Sequence, residues 1–200
     1  LPMSGIPSQP QVPIVSVIGD GSNCGKTGLA CGLLEHFAPR MRVGALKIST
    51  GRPDHTCART GLACGCLRFD GDMRLLEGEV YTNRRGKDTS LMHAAGARRV
   101  LWFQTTSDRA EEAALSRELG LADLDLLIVE GAALARVGRT DHLIAVRRPA
   151  RAPKDGFLPL WERADLRLES RSGAETSRAS LLSDAIRHLE PRFALTLRRR

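Results

Sequence analysis

One stretch constrains this chain more than any other: Val15 to Ala30, VSVIGDGSNCGKTGLA. An apolar run, Ile14 to Ile18, feeds a loop that holds Gly19, Gly21 and Gly25. Lys26 and Thr27 follow, and a helical pattern then begins. Strand, glycine loop, Lys-Thr and helix in that order are what a phosphate-binding loop requires. Glycines let backbone N–H groups turn toward phosphates without Cβ clashes, and Lys26 supplies a positive charge near the β and γ phosphates. The Thr27 hydroxyl can ligate Mg²⁺, and the helix N-terminus adds a favourable dipole. The expected nucleotide-binding set is therefore Gly21, Ser22, Asn23, Cys24, Gly25, Lys26, Thr27 and Gly28. The usual spacing, G-x-x-x-x-G-K-[ST], places a glycine at position 20. Asp20 stands there instead, with a glycine on each side, so the first glycine is displaced.

The rest of the chain alternates strand and helix. Gly25 to Phe37 carries Leu29, Ala30, Leu33, Leu34 and Phe37 at helical spacing, and Met41 to Ile48 reads as a second strand with Lys47 near its end. Ser49 to Arg85 is long, irregular and rich in Gly, Cys, His and Asp, with short extended pieces between Met73 and Val80. Gly86-Lys87-Asp88-Thr89 opens a helix with Asp88 or Thr89 as N-cap, Leu91, Met92 and Ala95 on one face and Gly96 as its end. Val100 to Gln104 is a third strand, and Asp108 to Leu119 a surface helix. Leu124 to Val129 is a near-continuous apolar strand of the kind buried in a parallel sheet, followed by Glu130-Gly131. His142 to Val146 is a further strand, Pro149 to Pro159 a basic loop, and Glu175 to Leu189 the last helix. The alternation predicts an α/β fold with a mostly parallel sheet flanked by helices, the architecture of a P-loop NTPase. Residues 1–12 read as a flexible leader and 13–200 as a single domain with a Cys-rich insertion at about 49–85.

With 42% hydrophobic residues among 200, one α/β domain can bury a sizeable core. No apolar run approaches the roughly 18 residues of a membrane span, and the proline-rich start lacks the form of a signal peptide. A cytoplasmic location without membrane association is expected. The net charge of +7 suits an anionic partner. The basic residues are scattered and aromatics make up only 4%, so nucleic acid is disfavoured and a nucleotide accounts for part of the excess.

Glu130 sits where an apolar strand gives way to a loop, the end at which parallel sheets collect ligands, and it can face Mg²⁺ opposite Thr27. Asp125, early in the same strand, reads as structural. A second constellation lies in the insertion: His55, Cys57, Cys64 and Cys66. Three thiols and an imidazole so close together can reach a tetrahedral Zn²⁺, or an iron–sulfur cluster completed by another chain. The C-x6-C-x-C spacing is no standard finger, and unpaired thiols in a loop are the competing reading. Cys24 reads as space-filling beside the phosphate loop and Cys31 as core.

Four segments together carry a family resemblance: IGDGSNCGKTGLA, VGALKIS, RRGKDTSLMHAAGARRVLWF and DLLIVEGAA. Over Pro13 to Val146 the chain resembles the MobB-type proteins of molybdopterin guanine dinucleotide biosynthesis. These are P-loop proteins of the class that includes dethiobiotin synthetase and the metallocentre-maturation NTPases. The resemblance implies that Gly25, Lys26 and Thr27 bind phosphates and Mg²⁺, that Glu130 is the second metal-side acid, and that Lys47 and Asp88 line the cleft near the terminal phosphate or a partner ligand. Lys26, Glu130, Lys47 and Asp88 are thus the expected catalytic set. It also implies a GTP preference, weak hydrolysis, a homodimer and a client among metalloenzymes or cofactor-biosynthesis proteins. The sequence departs from the family at Ile48-Ser49, where a histidine is usual, and in its long Cys-rich insertion. It lacks a clean Asn-Lys-x-Asp guanine-reading motif, so GTP and ATP both stay open. The alternative reading is an ATP-dependent small-molecule ligase or kinase of the dethiobiotin synthetase kind, in which Lys47 and Asp88 arrange a carboxylate for activation.

Overall fold

A computed structural model describes residues 12–50, 73–105, 119–170 and 175–197. In chain order the elements are β1 (Ile14–Gly19), α1 (Lys26–Phe37), β2 (Val43–Thr50), β3 (Met73–Glu77), α2 (Glu79–Thr82), α3 (Asp88–Ala94) and β4 (Arg99–Thr105). They continue with β5 (Leu126–Glu130), α4 (Ala133–Arg136), β6 (His142–Arg147), α5 (Phe157–Arg163), β7 (Leu166–Glu169) and α6 (Glu175–Leu197). The seven strands form one sheet in the order β3-β4-β2-β5-β1-β6-β7. Every neighbouring pair is parallel except β3 and β4, which run antiparallel at the edge. The expected α/β architecture, a mostly parallel sheet flanked by helices, is present.

The strand period of two sorts side chains onto the two faces. Val15 and Val17, Val43 and Ala45, and Leu126 and Ile128 point to the face covered by α1, α3 and α6, with Leu33, Leu34, Phe37, Met92, Ala185 and Leu189 as partners. Ile14, Leu46, Ile48, Leu127 and Val129 point to the opposite face, where Leu119, Leu124, Ala133 and Leu134 meet them. Further along that face, Ile18, Leu143 and Ala145 pack on Phe157 and Leu160 of α5. Being buried on both sides explains why β1 and β5 read as continuous apolar runs rather than as alternation. The same parity fixes the chemistry: Lys47 follows Val43 and Ala45, and Glu130 follows Leu126 and Ile128, so both project to the α1 face.

Several expectations are corrected. Within Met73 to Val80, only Met73–Glu77 is extended; from Glu79 the chain turns into the short helix α2. Neither Asp88 nor Thr89 caps α3: Lys87 is the extended N-cap residue, no side chain caps the helix, and the Asp88 carboxylate engages Lys47 instead. Leu91, expected on the inner face of that helix with Met92 and Ala95, is half exposed. The basic stretch after β6 is not loop throughout, because α5 begins at Phe157 and β7 follows it. Helix α6 runs on to Leu197 through Pro191 rather than stopping at Leu189, and Phe193 is buried edge-on against Phe37. The helix expected at Asp108 to Leu119 lies, but for Leu119, outside the described residues, as does the leader expected at 1–12 but for Val12. Among the described residues no helix is long and apolar enough to cross a membrane.

Candidate functional site

The site grows from the C-terminal ends of β1, β2 and β5, three adjacent strands at the middle of the sheet. The loop leaving β1 turns back into α1 with Asn23 at φ 60° and Gly25 at φ 97°, left-handed conformations that Gly tolerates freely and Asn more readily than most residues. The displaced glycine has a local reason. A Cβ at Gly19 would stand 2.2 Å from Cys24 Sγ and 2.8 Å from the Lys26 stem, so position 19, not 20, is where the loop folds too closely for a side chain. Cys24 is buried and its thiol lies 3.4 Å from the Lys26 ammonium, consistent with the space-filling part expected of it. Lys26 Nζ reaches back over the loop to donate to the Gly21 carbonyl at 2.5 Å. Among the described residues no side chain caps the start of α1, so its first N–H groups and the positive end of its dipole belong to this loop. Arg178 of α6 lies beside Gly28, its guanidinium 3.5 Å from where a Cβ there would stand, and Ser170 Oγ is 3.9 Å from the corresponding point at Gly25.

Across from the loop, register alone brings the remaining residues together. Val17 of β1 is paired with Glu130, and Glu130 with Lys47 of β2. Glu130 Oε1 accepts from Thr27 Oγ1 at 3.0 Å and from Lys47 Nζ at 2.6 Å. Lys47 Nζ also meets Asp88 Oδ2 at 2.7 Å, where the start of α3 approaches the sheet. The four expected residues Thr27, Glu130, Lys47 and Asp88 therefore form one connected chain of contacts. Burial by itself would push the Lys47 ammonium down, but the carboxylates of Glu130 and Asp88 outweigh it and hold the lysine above its ordinary value. Glu130 is buried, and its second oxygen, Oε2, has no hydrogen-bond partner among the described residues. A buried carboxylate oxygen left unpaired beside a threonine hydroxyl fits a hard divalent cation, whose ligands are carboxylate and hydroxyl oxygens. Cys31 on α1 also faces this group. Burial, followed by the negative charge of Glu130, pushes its thiol up to about 12. It packs against the core as expected, and the raised pKa disfavours the nucleophilic thiolate.

Sequence reasoning noted Asp20 only as a break in the glycine spacing and gave it no role. Its side chain is fully buried, and its carboxylate accepts the Arg148 backbone N–H at 2.7 Å and lies 3.5 Å from the Arg148 guanidinium. Its carbonyl accepts the Lys154 N–H at 2.9 Å. The signal was present, since a carboxylate in place of a loop glycine directly after an apolar strand must find partners when buried.

Other expected positions resolve simply. Asp125 is structural: it accepts the Arg42 backbone N–H at 2.8 Å and ion-pairs with the Arg42 guanidinium, tying β5 to the start of β2. Asp141 accepts the Ile14 N–H, while His142 packs edge-on against His188 and Phe193. Trp161 stacks at a tilt on Phe157 under the Arg147 guanidinium, and Trp102 donates to Ser49 Oγ. His93 meets Thr82 Oγ1. His55, Cys57, Cys64 and Cys66, the expected Zn²⁺ or iron–sulfur ligands, lie outside the described residues.

The site is thus that of an α/β protein with a glycine-rich, lysine-bearing loop at the C-terminal edge of a central parallel strand and an acid on the neighbouring strand facing it. No match is found among protein-family models or among curated proteins.

Proposed function

We propose that this chain is a P-loop NTPase that binds a nucleoside triphosphate with Mg²⁺ and uses it in the assembly or insertion of a metal cofactor, in the manner of the MobB-type proteins it resembles. The observation that carries the nucleotide half is the 3.0 Å contact between Thr27 Oγ1 and the buried Glu130, whose other oxygen is unpaired, alongside the Lys26 loop. In this reading the backbone of Gly21 to Gly28 cradles the phosphates and Lys26 leaves the Gly21 carbonyl to neutralise them. Thr27 and Glu130 hold Mg²⁺, which would supply charge neutralisation on the phosphate oxygens. Lys47 pairs with Glu130 and ties it to Asp88 at the cleft edge. Hydrolysis is expected to be weak, with a homodimer as the working form. The cofactor half rests on the four resembling segments and on the cysteines of the insertion, for which a carboxylate-activating enzyme has no need.

Titration of fluorescent GTP and ATP with and without Mg²⁺, on the wild type and Lys26→Ala, tests the nucleotide half: Mg²⁺-dependent binding lost in the variant supports it, and indifference to Lys26 refutes it. Elemental analysis of anaerobically purified protein tests the other half. Stoichiometric zinc or iron that disappears in a Cys64→Ser/Cys66→Ser variant supports a metal-linked NTPase. Metal-free wild type removes the cysteine site and favours the ligase or kinase alternative, in which Lys47 and Asp88 hold a carboxylate substrate.

A further inference from the structure

Resting on that nucleotide reading, we infer that Arg148 is a phosphate ligand delivered from the segment after β6, and that Asp20 is the residue that holds it in position. A buried carboxylate directly behind a phosphate-binding loop opposes the binding of a polyanion unless a cation offsets it. Position 20 carries that carboxylate, with its side chain fully buried. The cation within reach is Arg148, whose Nη2 lies 3.5 Å from Asp20 Oδ1. The same Nη2 would stand 3.2 Å from a Cβ on Gly21, the residue whose carbonyl takes the Lys26 ammonium. Lys26 from within the loop and Arg148 from the segment after β6 thus converge on one residue of the loop.

The pairing is incomplete on both sides. Among the described residues, Asp20 Oδ1 accepts no hydrogen bond, and Arg148 Nε is buried with no acceptor. The backbone, by contrast, is held firmly: Arg148 N–H donates to Asp20 Oδ2 at 2.7 Å, Lys154 N–H to the Asp20 carbonyl at 2.9 Å, and Asp20 N–H to the Val146 carbonyl at 3.1 Å. The main chain of the post-β6 segment is therefore fixed against the loop while the guanidinium keeps donors in hand, which suits a planar fork that takes a phosphate oxygen without moving its own backbone. Gly21 contributes by its lack of a side chain, which leaves the guanidinium room against the loop.

The test is calorimetric titration of ATP, GTP and inorganic tripolyphosphate, each with Mg²⁺, into the wild type, Arg148→Gln, Asp20→Asn and the double variant. Loss of one charge-assisted phosphate contact weakens Arg148→Gln by about tenfold or more, for tripolyphosphate as much as for the nucleotides. Asp20→Asn keeps an acceptor for the Arg148 N–H but removes the opposing charge, so it binds severalfold tighter. The double variant recovers part of the Arg148→Gln loss. If both single variants weaken binding together, or if tripolyphosphate affinity ignores Arg148, the inference fails and Arg148 is only a strut between loop and segment. Thermal melting of each variant separates that from misfolding. Wild-type protein that binds none of the three ligands, or binds them equally after Lys26→Ala, refutes the underlying nucleotide reading instead.

Discussion

Glu130→Gln is the perturbation that asks most of the site. The carboxylate is only 2% exposed at its side chain and stands 2.6 Å from a Lys47 ammonium that is itself largely buried. Removing one partner of a buried ion pair costs about 3–5 kcal/mol when the other charge is left alone. Lys47 keeps a second carboxylate, Asp88, at 2.7 Å, but that group is 44% exposed and screened by water. The expected loss is therefore smaller, about 2 kcal/mol near pH 7. At roughly 2–4 °C per kcal/mol for a chain of this size, the melting temperature falls by about 4–8 °C. The glutamine keeps an acceptor for Thr27, so the loss reports the charge and not the hydroxyl contact.

The pH dependence distinguishes this account from simple mispacking. In the wild type, burial lowers the Lys47 pKa, but Glu130 and then Asp88 raise it further, so the folded value lies above the ordinary 10.5. A lysine held above its unfolded pKa contributes stability that is complete below that value and lost as pH rises through the folded one. In Glu130→Gln the largest raising influence is gone and burial gains the upper hand, so the folded lysine drops toward or below the unfolded value. Its penalty is then greatest near neutrality and fades as the unfolded chain also loses its proton near pH 10. The gap between wild type and variant, from urea unfolding at pH 7 and again above the 10.5 of a free lysine, narrows accordingly. A gap under about 0.5 kcal/mol at pH 7, within the range of an ordinary surface substitution, refutes the coupling of Lys47 to Glu130, and so does a gap that stays constant with pH.

Three further outcomes follow from particular contacts. Gly19→Ala drives a Cβ to 2.2 Å from Cys24 Sγ, and the loop must shift. Nucleotide affinity measured by fluorescence drops at least tenfold, whereas Gly28→Ala, facing only the Arg178 guanidinium at 3.5 Å, changes it far less. Phe193→Ala removes a buried ring packed on Phe37 at 5.7 Å between centroids, costing about 3 kcal/mol in denaturant unfolding; a negligible effect would mean that α6 does not dock beyond Pro191. The Cys31 thiol, pushed up to about 12, resists alkylation at pH 8 in the folded protein, and mapping the labelled peptides before and after denaturation checks it.

How far the sequence disclosed this arrangement depended on whether a residue's partner was near in sequence or only near in space. The β1 loop and the apolar β5 announce themselves locally, and the acid at the end of β5 could be assigned to the loop's threonine on the general behaviour of parallel sheets alone. What no local pattern carries is the strand order. Lys47 and Glu130 face each other because β2, β5 and β1 are neighbours and because parity puts both on the α1 face, so their contact arises from topology rather than motif. The missed elements have local causes. Pro159 sits in the first turn of α5, where a missing N–H costs nothing, and β7 is a four-residue edge strand whose Arg167 and Glu169 are exposed. Pro191 reads as a stop, yet Phe193, two residues beyond it, is anchored on α1, and tertiary packing outweighs the lost hydrogen bond. Asp20 is the instructive case. Judged against a spacing rule it looks like a defect in the glycine pattern. Judged by burial it is a charge that had to be answered, and the structure answers it with Arg148 from the segment that follows the neighbouring strand β6. A departure from a motif at a buried position therefore points to a compensating residue elsewhere in the chain, and finding that residue is how the departure acquires a function.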